Sequence, residues 1–318
     1  MIRREFLQTS AAVVTGAITT DMNNHPVKGP LLDKVGIQLF SLPKTLEKDF
    51  AEGMSMLSTM GYKDIELYGP YTFSHETSKS GWKTITPMLG FSGSGFYGHD
   101  AKGIRDIFNN FGLKTSSVHA DLISLEHHMD RFGEAASVLG FEYVVIPTTP
   151  EEQRQSIDGY KKLADLFNRI GASAKKVGLK FGYHNHGYGL KEVDGQIPLQ
   201  VLLDATDPEL VFLELDIYWT TAGGADPIDY LKKYPNRYKL MHLKDMKEKV
   251  RFQGDGGNPS EWMALFPFMT TVGDGVLDID GIVQAGKENG VEHFYVEQDL
   301  VANPETALQD SINYLISA

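Results

Sequence analysis

The feature that most constrains the fold of this chain is a unit that recurs from residue 34 onward. In each unit a helical pattern ends at glycine, asparagine or proline, and a short apolar strand follows within a few residues. Glycine there is typical of a helix that ends in the left-handed backbone conformation. The junction occurs in MGYKDIELYG, FGLKTSSVHA, LGFEYVVIPT, VGLKFGYHNH, DPELVFLELD, YPNRYKLMHL and NGVEHFYVEQ.

The front segment KVGIQLFSL brings the number of predicted strands to eight, and amphipathic segments lie between them. Strands that alternate with helices form parallel sheets. Eight such units in about 285 residues match a (β/α)8 barrel. We therefore predict an α/β fold, a single-domain TIM barrel over residues 34–318. A doubly wound open sheet is the alternative, but no G-x-G-x-x-G motif follows the first strand.

Two connections between predicted elements are long. Residues 69–102 follow the second strand, and residues 246–276 follow the seventh. Both leave the carboxyl ends of strands, where barrel enzymes of this type keep their active sites. Their glycine, serine and aromatic content is typical of lids or substrate-contacting loops. An insertion or an oligomer contact explains the first equally well.

Composition and charge exclude several functions. The net charge is −12 and no basic stripe is present, which argues against a nucleic-acid partner. The absence of cysteine excludes disulfides, thiolate metal sites and cysteine nucleophiles. No apolar run reaches the length of a membrane span. We expect no membrane association after processing and leave homo-oligomerisation open.

Residues 1–33 are predicted to be an export signal and a polar spacer. The segment RREFL, with Arg3 and Arg4, precedes a mild apolar run over residues 11–18. This pattern resembles the twin-arginine signal, whose motif is Arg-Arg-x-Phe-Leu. We therefore expect an exported, periplasmic protein; a basic N-terminal helix on a cytoplasmic protein is the alternative.

Polar side chains gather at the predicted carboxyl ends of seven of the eight strands, which barrel closure brings together around one axis. Burying several charges without pairing or a metal is costly, so this concentration indicates a functional site. In strand order the ends carry Gln38; Glu66; His119; His184 and His186; Glu214, Asp216 and Trp219; His242, Lys244 and Asp245; and Glu297 and Asp299. The fourth strand ends apolar.

The fifth strand, KFGYHNHGYG, places two histidines at its end. Because alternate strand residues share a face, His184 and His186 point to one side and Asn185 to the other. Two adjacent imidazoles can bind a metal, hold a hydroxyl-rich ligand or hydrogen-bond within a polar core, and this strand alone leaves the three open.

The segments GIQLFSL, IELYG, GYHNH, ELDIYW, MHLKDM and VEQD occur here in an order that resembles the xylose-isomerase-like barrels, the sugar phosphate isomerase/epimerase group. The resemblance covers residues 34–318. The group includes ketose 3-epimerases, inosose dehydratase, dehydroshikimate dehydratase and, more distantly, endonuclease IV-type repair enzymes. The resemblance is specific for the fold and leaves the substrate open.

The resemblance implies a metal site. Many members hold one divalent metal with Glu, Asp, His and Glu from strands five to eight, and Asp216, His242 and Glu297 match the last three positions. His184 stands where the epimerases have Glu and is expected to be the fourth ligand. Glu214 would either substitute for it or support the ligands from behind. The expected ion is Mn, Zn, Co, Fe or Mg.

The implied reaction is proton abstraction next to a carbonyl group, catalysed by a metal-dependent isomerase, epimerase or lyase acting on a sugar, keto-sugar or cyclitol. The metal would stabilise an enediolate. Glu297 or a histidine would remove the proton, and His186 or Lys244 would supply one. His184 replaces one of the two carboxylate bases of a ketose epimerase, which favours a one-sided elimination or isomerisation.

Further strand-end residues are expected to bind the carbohydrate substrate. They are Gln38, Glu66, His119 and Trp219. Trp219 and two aromatic residues of the first long connection, Phe96 and Tyr97, would stack on a sugar face, although ordinary packing explains each of them equally well.

Two other functions compete with this reading. An endonuclease IV-like phosphodiesterase needs a richer metal cluster and a phosphate-attracting surface, which a net charge of −12 disfavours. A non-catalytic sugar-binding barrel would lose its metal ligands, whereas Asp216, His242 and Glu297 are all present.

Overall fold

The computed structural model describes residues 29–317. The predicted export signal, with Arg3 and Arg4, lies outside the described residues apart from residues 29–33. Among the described residues, no helix is both long enough and apolar enough to cross a bilayer.

Eight parallel strands close into a barrel in which the last strand pairs with the first. The barrel strands are β1 (Gly36–Gln38), β2 (Asp64–Tyr68), β3 (Ser117–His119), β4 (Tyr143–Ile146), β5 (Lys180–His184), β6 (Val211–Asp216), β7 (Tyr238–Leu243) and β10 (His293–Val296). Two short antiparallel strands, β8 (Asp245–Met246) and β9 (Met269–Thr270), form a separate pair. The predicted (β/α)8 fold is confirmed.

Helices fill the connections between the strands. They are α1 (Pro43–Lys48), α2 (Phe50–Met60), α3 (Glu76–Leu89), α4 (Ala101–Phe111), α5 (Leu122–His127), α6 (Met129–Leu139), α7 (Ile157–Lys176), α8 (Pro198–Ala205), α9 (Ile217–Ala222), α10 (Pro227–Lys233), α11 (Pro259–Leu265), α12 (Ile279–Glu288) and α13 (Pro304–Ile316). Short 3₁₀ turns cover Leu39–Ser41, Glu151–Gln153 and Phe266–Phe268.

The glycine junctions terminate helices as predicted. Gly61, Gly112 and Gly140 follow α2, α4 and α6 directly, with φ angles of 114°, 64° and 86°. Each of these glycines is the C-cap, and its backbone N–H donates to carbonyl groups of the last helical turn. The chain then turns straight into the next strand, which keeps the repeating units short.

The inward face of the barrel changes from apolar to polar toward the carboxyl ends of the strands. Tyr143, Val145, Leu240 and Tyr295 are completely buried and form an apolar cluster inside the barrel. On β7, His242 lies two residues beyond Leu240 and therefore shares its inward face. The polar residues at the carboxyl ends of the strands form what we call the polar layer. They lie on this apolar cluster, the apolar floor, which separates them from water at the other end of the barrel.

The two long connections contain regular structure. The first includes α3, none of whose side chains is buried. The second includes β8, β9 and α11, and it is tied to the end of β7 by the buried Asp245 carboxylate. That carboxylate accepts hydrogen bonds from the backbone N–H groups of Gly273 and Gly275 at 3.0 Å and of Leu277 at 3.2 Å. Asp245 therefore holds this connection over the carboxyl ends of the strands.

The contact of α7 with the loop before β6 yields a stability prediction. A β-carbon at Gly171 would lie 2.3 Å from the Leu210 carbonyl oxygen, so an added methyl group meets rigid backbone. We expect Gly171→Ala to lower the free energy of unfolding by about 1–3 kcal/mol in urea denaturation, since overpacking outweighs the gain of roughly 1 kcal/mol in helix propensity.

Gly81 in α3 provides the matched control, because a β-carbon there meets nothing within 4 Å. Gly81→Ala should raise the free energy of unfolding by about 0.5–1 kcal/mol. A stabilising effect of both substitutions would contradict the close packing of α7.

Candidate metal centre and active site

The polar strand ends meet in one buried layer at the C-terminal end of the barrel. All of its members have side chains that are almost completely shielded from solvent. They are Gln38, Glu66, His119, His184, Glu214, Asp216, His242, Lys244 and Glu297. His186 and Asp299 lie half-buried at its edges.

Strand register determines which of these side chains are neighbours. Asp216 of β6 lies opposite His242 of β7, and His184 of β5 lies opposite Glu214 of β6. Glu297 follows β10 directly, and its backbone N–H donates to the Leu243 carbonyl of β7. The predicted metal ligands thus come from four consecutive strands of the closed barrel.

The geometry of Asp216, His242 and Glu297 fits a metal ion, and His184 lies beside this group. Ligand atoms of the first three lie within 4.8 Å of one another, and His242 Nδ1 is 2.7 Å from Glu297 Oε2. His184 Nε2 lies 3.6 Å from Asp216 Oδ2. These last two atoms are buried and lack hydrogen-bond partners among the described residues. Lys244 Nζ lies 3.0 Å from Asp216 Oδ2 and already compensates part of its charge, whereas an unpartnered buried nitrogen such as His184 Nε2 is costly and a bound cation would remove that cost.

Two carboxylates lie behind the imidazoles and orient them. Glu214 Oε2 is 2.9 Å from His184 Nδ1, and Glu66 Oε2 is 2.6 Å from His242 Nε2. An imidazole nitrogen that donates to a carboxylate leaves the other nitrogen free to ligate. Glu214 Oε2 thus lies behind His184, while Glu214 Oε1 has no hydrogen-bond partner among the described residues.

A second group of potential ligands lies beside the first. His119, His184, Glu214 and His242 also offer ligand atoms within 4.8 Å of one another. In this group Glu214 Oε2 is already paired with both His119 Nε2, at 2.7 Å, and His184 Nδ1. Glu214 Oε1 and His184 Nε2 of this group lack hydrogen-bond partners among the described residues, so the two candidate metal sites overlap at His184 and His242.

The carboxyl groups of the polar layer differ in how readily they ionise. Burial opposes ionisation of Glu214, but the neighbouring His242 and His119 hold its pKa well below the usual range. Burial and the nearby Glu214 charge raise the pKa of Glu66. Burial disfavours a charged His242, yet Glu214, Glu297 and Glu66 raise its pKa well above the usual value. A proton and a metal ion therefore compete for His242 Nδ1.

Lys244 is a buried ammonium group surrounded by carboxylates. Its Nζ lies 2.6 Å from Glu297 Oε2, 2.8 Å from Asp299 Oδ2 and 3.0 Å from Asp216 Oδ2. The contact with Asp216 is an ion pair without hydrogen-bond geometry. Burial disfavours the charged amine, but Asp216, Asp299 and Glu297 raise the pKa of Lys244 well above its usual value. Lys244 is therefore a charged proton donor beside the predicted metal ligands.

The His186 imidazole is uncharged, in contrast to the Lys244 ammonium group. Its Nδ1 lies 2.6 Å from the Pro147 carbonyl oxygen, which only accepts hydrogen bonds, so Nδ1 carries the hydrogen and Nε2 carries the lone pair. Burial, followed by the charges of His184 and Lys244, lowers the pKa of His186 well below its usual value. His186 is thus a neutral imidazole whose Nε2 lone pair is available.

Of the residues expected to bind substrate, three lie in the hydrogen-bond network around His242, and Trp219 lies at the edge of the polar layer. Gln38 Nε2 donates to Glu66 Oε2 at 2.9 Å, which places both residues within the hydrogen-bond network around His242. His119 contacts Glu214 in the same network. Trp219 is buried at the edge of the layer, with its ring centroid 6.0 Å from that of His186 and its indole nitrogen unpartnered.

The aromatic residues near the polar layer differ from those that the sequence predicted in the long connections. Phe96 packs against Tyr71, and Tyr97 stacks on Phe50, so neither of these predicted sugar-stacking residues lines the polar layer. The second long connection instead supplies Trp262, whose ring lies 5.0 Å from that of His186. The aromatic content of that connection was the sequence signal for Trp262, but it did not identify the residue.

Known proteins with similar sequences are consistent with this site. The chain matches the family described as Xylose isomerase-like TIM barrel over residues 75–318. It is 31% identical over 216 residues to an inosose dehydratase of Clostridium perfringens, covering 67% of this chain and 66% of the relative. It is 32% identical over 216 residues to an inosose dehydratase 2 of Bacillus cereus, covering 67% and 65%. The chain thus spans just under two thirds of the length of these relatives.

Solved structures show the same barrel. The crystal structure of a sugar phosphate isomerase/epimerase from Parabacteroides distasonis superimposes with a TM-score of 0.71 at 26% identity, covering 94% of this chain and 98% of that chain. The zinc-bound IOLI protein shares the fold, with a TM-score of 0.61 at 17% identity, covering 88% and 96%. From its sequence and its fold, this chain belongs to the xylose isomerase-like TIM barrel family.

Proposed function

We propose that this protein is a metal-dependent lyase or isomerase that removes a proton next to the carbonyl group of a sugar, keto-sugar or cyclitol. The observation that carries the proposal is the buried group of Asp216, His242 and Glu297, with the unpartnered His184 Nε2 3.6 Å from Asp216 Oδ2. Similarity to inosose dehydratases over two thirds of the chain supports a dehydratase or another lyase within this range.

One divalent ion would be held by His184, Asp216, His242 and Glu297. A ligand set of two imidazoles and two carboxylates favours Mn²⁺, Zn²⁺, Co²⁺ or Fe²⁺ over Mg²⁺, which prefers oxygen ligands alone. Bound there, the ion would act as a Lewis acid that stabilises negative charge developing on the substrate oxygen.

The remaining residues divide proton transfer between a base and an acid. His186 Nε2 takes the carbon-bound proton, since its lone pair is fixed by the hydrogen bond from Nδ1 to Pro147. Lys244 Nζ supplies a proton to oxygen. Glu297 is the alternative base: burial opposes its ionisation, but Lys244 and His242 hold its pKa well below the usual range.

A distinct base and acid suit an elimination or a one-sided isomerisation better than epimerisation by two equivalent carboxylates. The competing functions have less support. An endonuclease would have to attract polyanionic DNA to a chain with a net charge of −12. A non-catalytic sugar-binding barrel gives no reason for leaving His184 Nε2 buried without a partner beside Asp216, His242 and Glu297.

The metal assignment predicts different effects for two histidines of the same strand end. His184→Ala should weaken metal binding by at least about tenfold, since it removes a ligand, whereas His186→Ala should keep the metal and lose turnover. Metal content after desalting and competition with a chromogenic chelator measure this, with circular dichroism confirming that the barrel is folded. Equal metal affinity in the two variants would refute the ligand set.

The reaction type predicts loss of activity when the acidic hydrogen is absent. Free sugars, keto-sugars and inososes would first be screened with the metal-loaded protein by NMR in D₂O. A converted substrate whose acidic hydrogen is then replaced by a methyl group should not react, because no proton can be removed from that carbon. Conversion of the methyl analogue at a comparable rate would instead favour direct metal-assisted hydrolysis.

We also propose export to the periplasm, on the strength of the RREFL segment before an apolar run. Replacing both Arg3 and Arg4 by lysine should leave the precursor inside the cell, because the twin-arginine route reads the arginine pair. Arg131→Lys, in an exposed ion pair with Glu134, is the matched control and should be exported normally. Export of the double variant at the normal level would refute this route.

A further inference from the structure

A cavity of about 580 Å³ lies at the C-terminal end of the barrel beside the polar layer. Its walls are formed by residues 298–303 after β10, by the first turns of α13 and by part of the second long connection. Pockets of about 300–1,000 Å³ hold drug-sized ligands, so this cavity is large enough to enclose a ring.

The cavity shares a wall with the proposed proton donor. Asp299 lines the cavity, and its Oδ2 is 2.8 Å from Lys244 Nζ. Phe266 also lines the cavity, with its ring centroid 6.1 Å from that of Trp219, and Lys244 Nζ lies 5.5 Å from the Trp219 ring. Asp299 therefore lies between Lys244 and the cavity, and a group bound in the cavity would be one side chain away from the proposed proton donor.

The lining combines apolar surface with hydrogen-bonding groups. Phe266, Pro267 and Leu300 supply apolar walls, and Gln298 and Asp299 supply acceptors. Gln298 Oε1 is buried and accepts no hydrogen bond from the described residues. Polar and apolar groups are about equally represented in the lining, which suits a ring that carries polar substituents, and an unpartnered acceptor is satisfied by a ligand hydroxyl.

We propose that this cavity is a subsite for a ring-sized substituent linked through oxygen to the sugar or cyclitol on which the polar layer acts. The inference rests on the proposed function and specifies its substrate class: molecules of two rings rather than one. A second sugar and an aromatic aglycone both have an apolar ring face and can both be linked through oxygen. The experiment below distinguishes between these two substituents.

The test fills the cavity from a wall residue that has no part in the proposed chemistry. Ala307 of α13 lines the cavity, and Ala307→Trp places an indole in it. Glu305→Trp is the matched control, because Glu305 is exposed on the same helix and does not line the cavity. If Ala307→Trp does not fold, Thr306→Phe at the exposed rim carries the same test.

Three probes are compared with metal-loaded protein: a keto-disaccharide, a phenyl keto-glucoside and a methyl keto-glucoside. We expect Ala307→Trp to raise KM at least about tenfold for a two-ring probe, with the methyl glucoside unaffected and the control like wild type. A selective effect on the disaccharide identifies a sugar as the substituent, and one on the phenyl glucoside identifies an aglycone. Equal KM values for all three probes in Ala307→Trp and wild type would overturn the subsite.

Failure of the proposed function gives a different pattern. If wild-type protein converts none of the three probes, binding decides the subsite, and the reaction assignment is judged by the wider substrate screen alone. Saturation-transfer NMR with cellobiose and phenyl glucoside should show contacts that Ala307→Trp removes and Glu305→Trp keeps. Absence of binding of both ligands to wild type, or binding that Ala307→Trp leaves unchanged, would overturn the subsite.

Discussion

The candidate site depends on the pairing of two buried carboxylates with two imidazoles. Glu214 accepts from His184 Nδ1 and Glu66 from His242 Nε2, at 2.9 and 2.6 Å. Each pairing fixes which nitrogen faces the remaining ligands, and in a dry interior such hydrogen bonds are strong and their loss is costly. Without them the imidazoles could present a hydrogen where a metal ligand needs a lone pair.

Barrel closure makes these pairings possible. Parallel register aligns His184 with Glu214 and Asp216 with His242, and strand alternation turns them inward over the apolar floor. The two groups proposed to exchange protons with the substrate differ in charge. Lys244 is charged because three carboxylates surround it, whereas His186 is neutral because burial disfavours its charged form and His184 and Lys244 lie nearby.

The sequence was sufficient to predict the barrel and the clustering of polar residues at the ends of its strands. Glycine junctions mark helix ends, and the order of strands in a closed barrel follows from connectivity, so His184, Asp216, His242 and Glu297 could be placed together before the structure was known. The sequence could not show whether Glu214 faces the metal ligands or lies behind His184, because this depends on which carboxylate oxygen contacts the imidazole.

Other features depended on contacts that have no sequence signature. The tautomer of His186 is set by the backbone oxygen of Pro147, a contact between segments 39 residues apart. The first long connection forms the exposed helix α3, and Phe96 and Tyr97 pack among other aromatic residues instead of turning toward the site. Aromatic residues of long connections can pack on several neighbours, and only tertiary structure selects one.

The most direct test of this account is a crystal structure of the metal-loaded protein with anomalous data collected at the metal absorption edge. We expect one anomalous peak about 2.0–2.2 Å from His184 Nε2, Asp216 Oδ2, His242 Nδ1 and Glu297 Oε2. A peak among His119, His184, Glu214 and His242, or the absence of any peak in the polar layer at saturating metal, would contradict it.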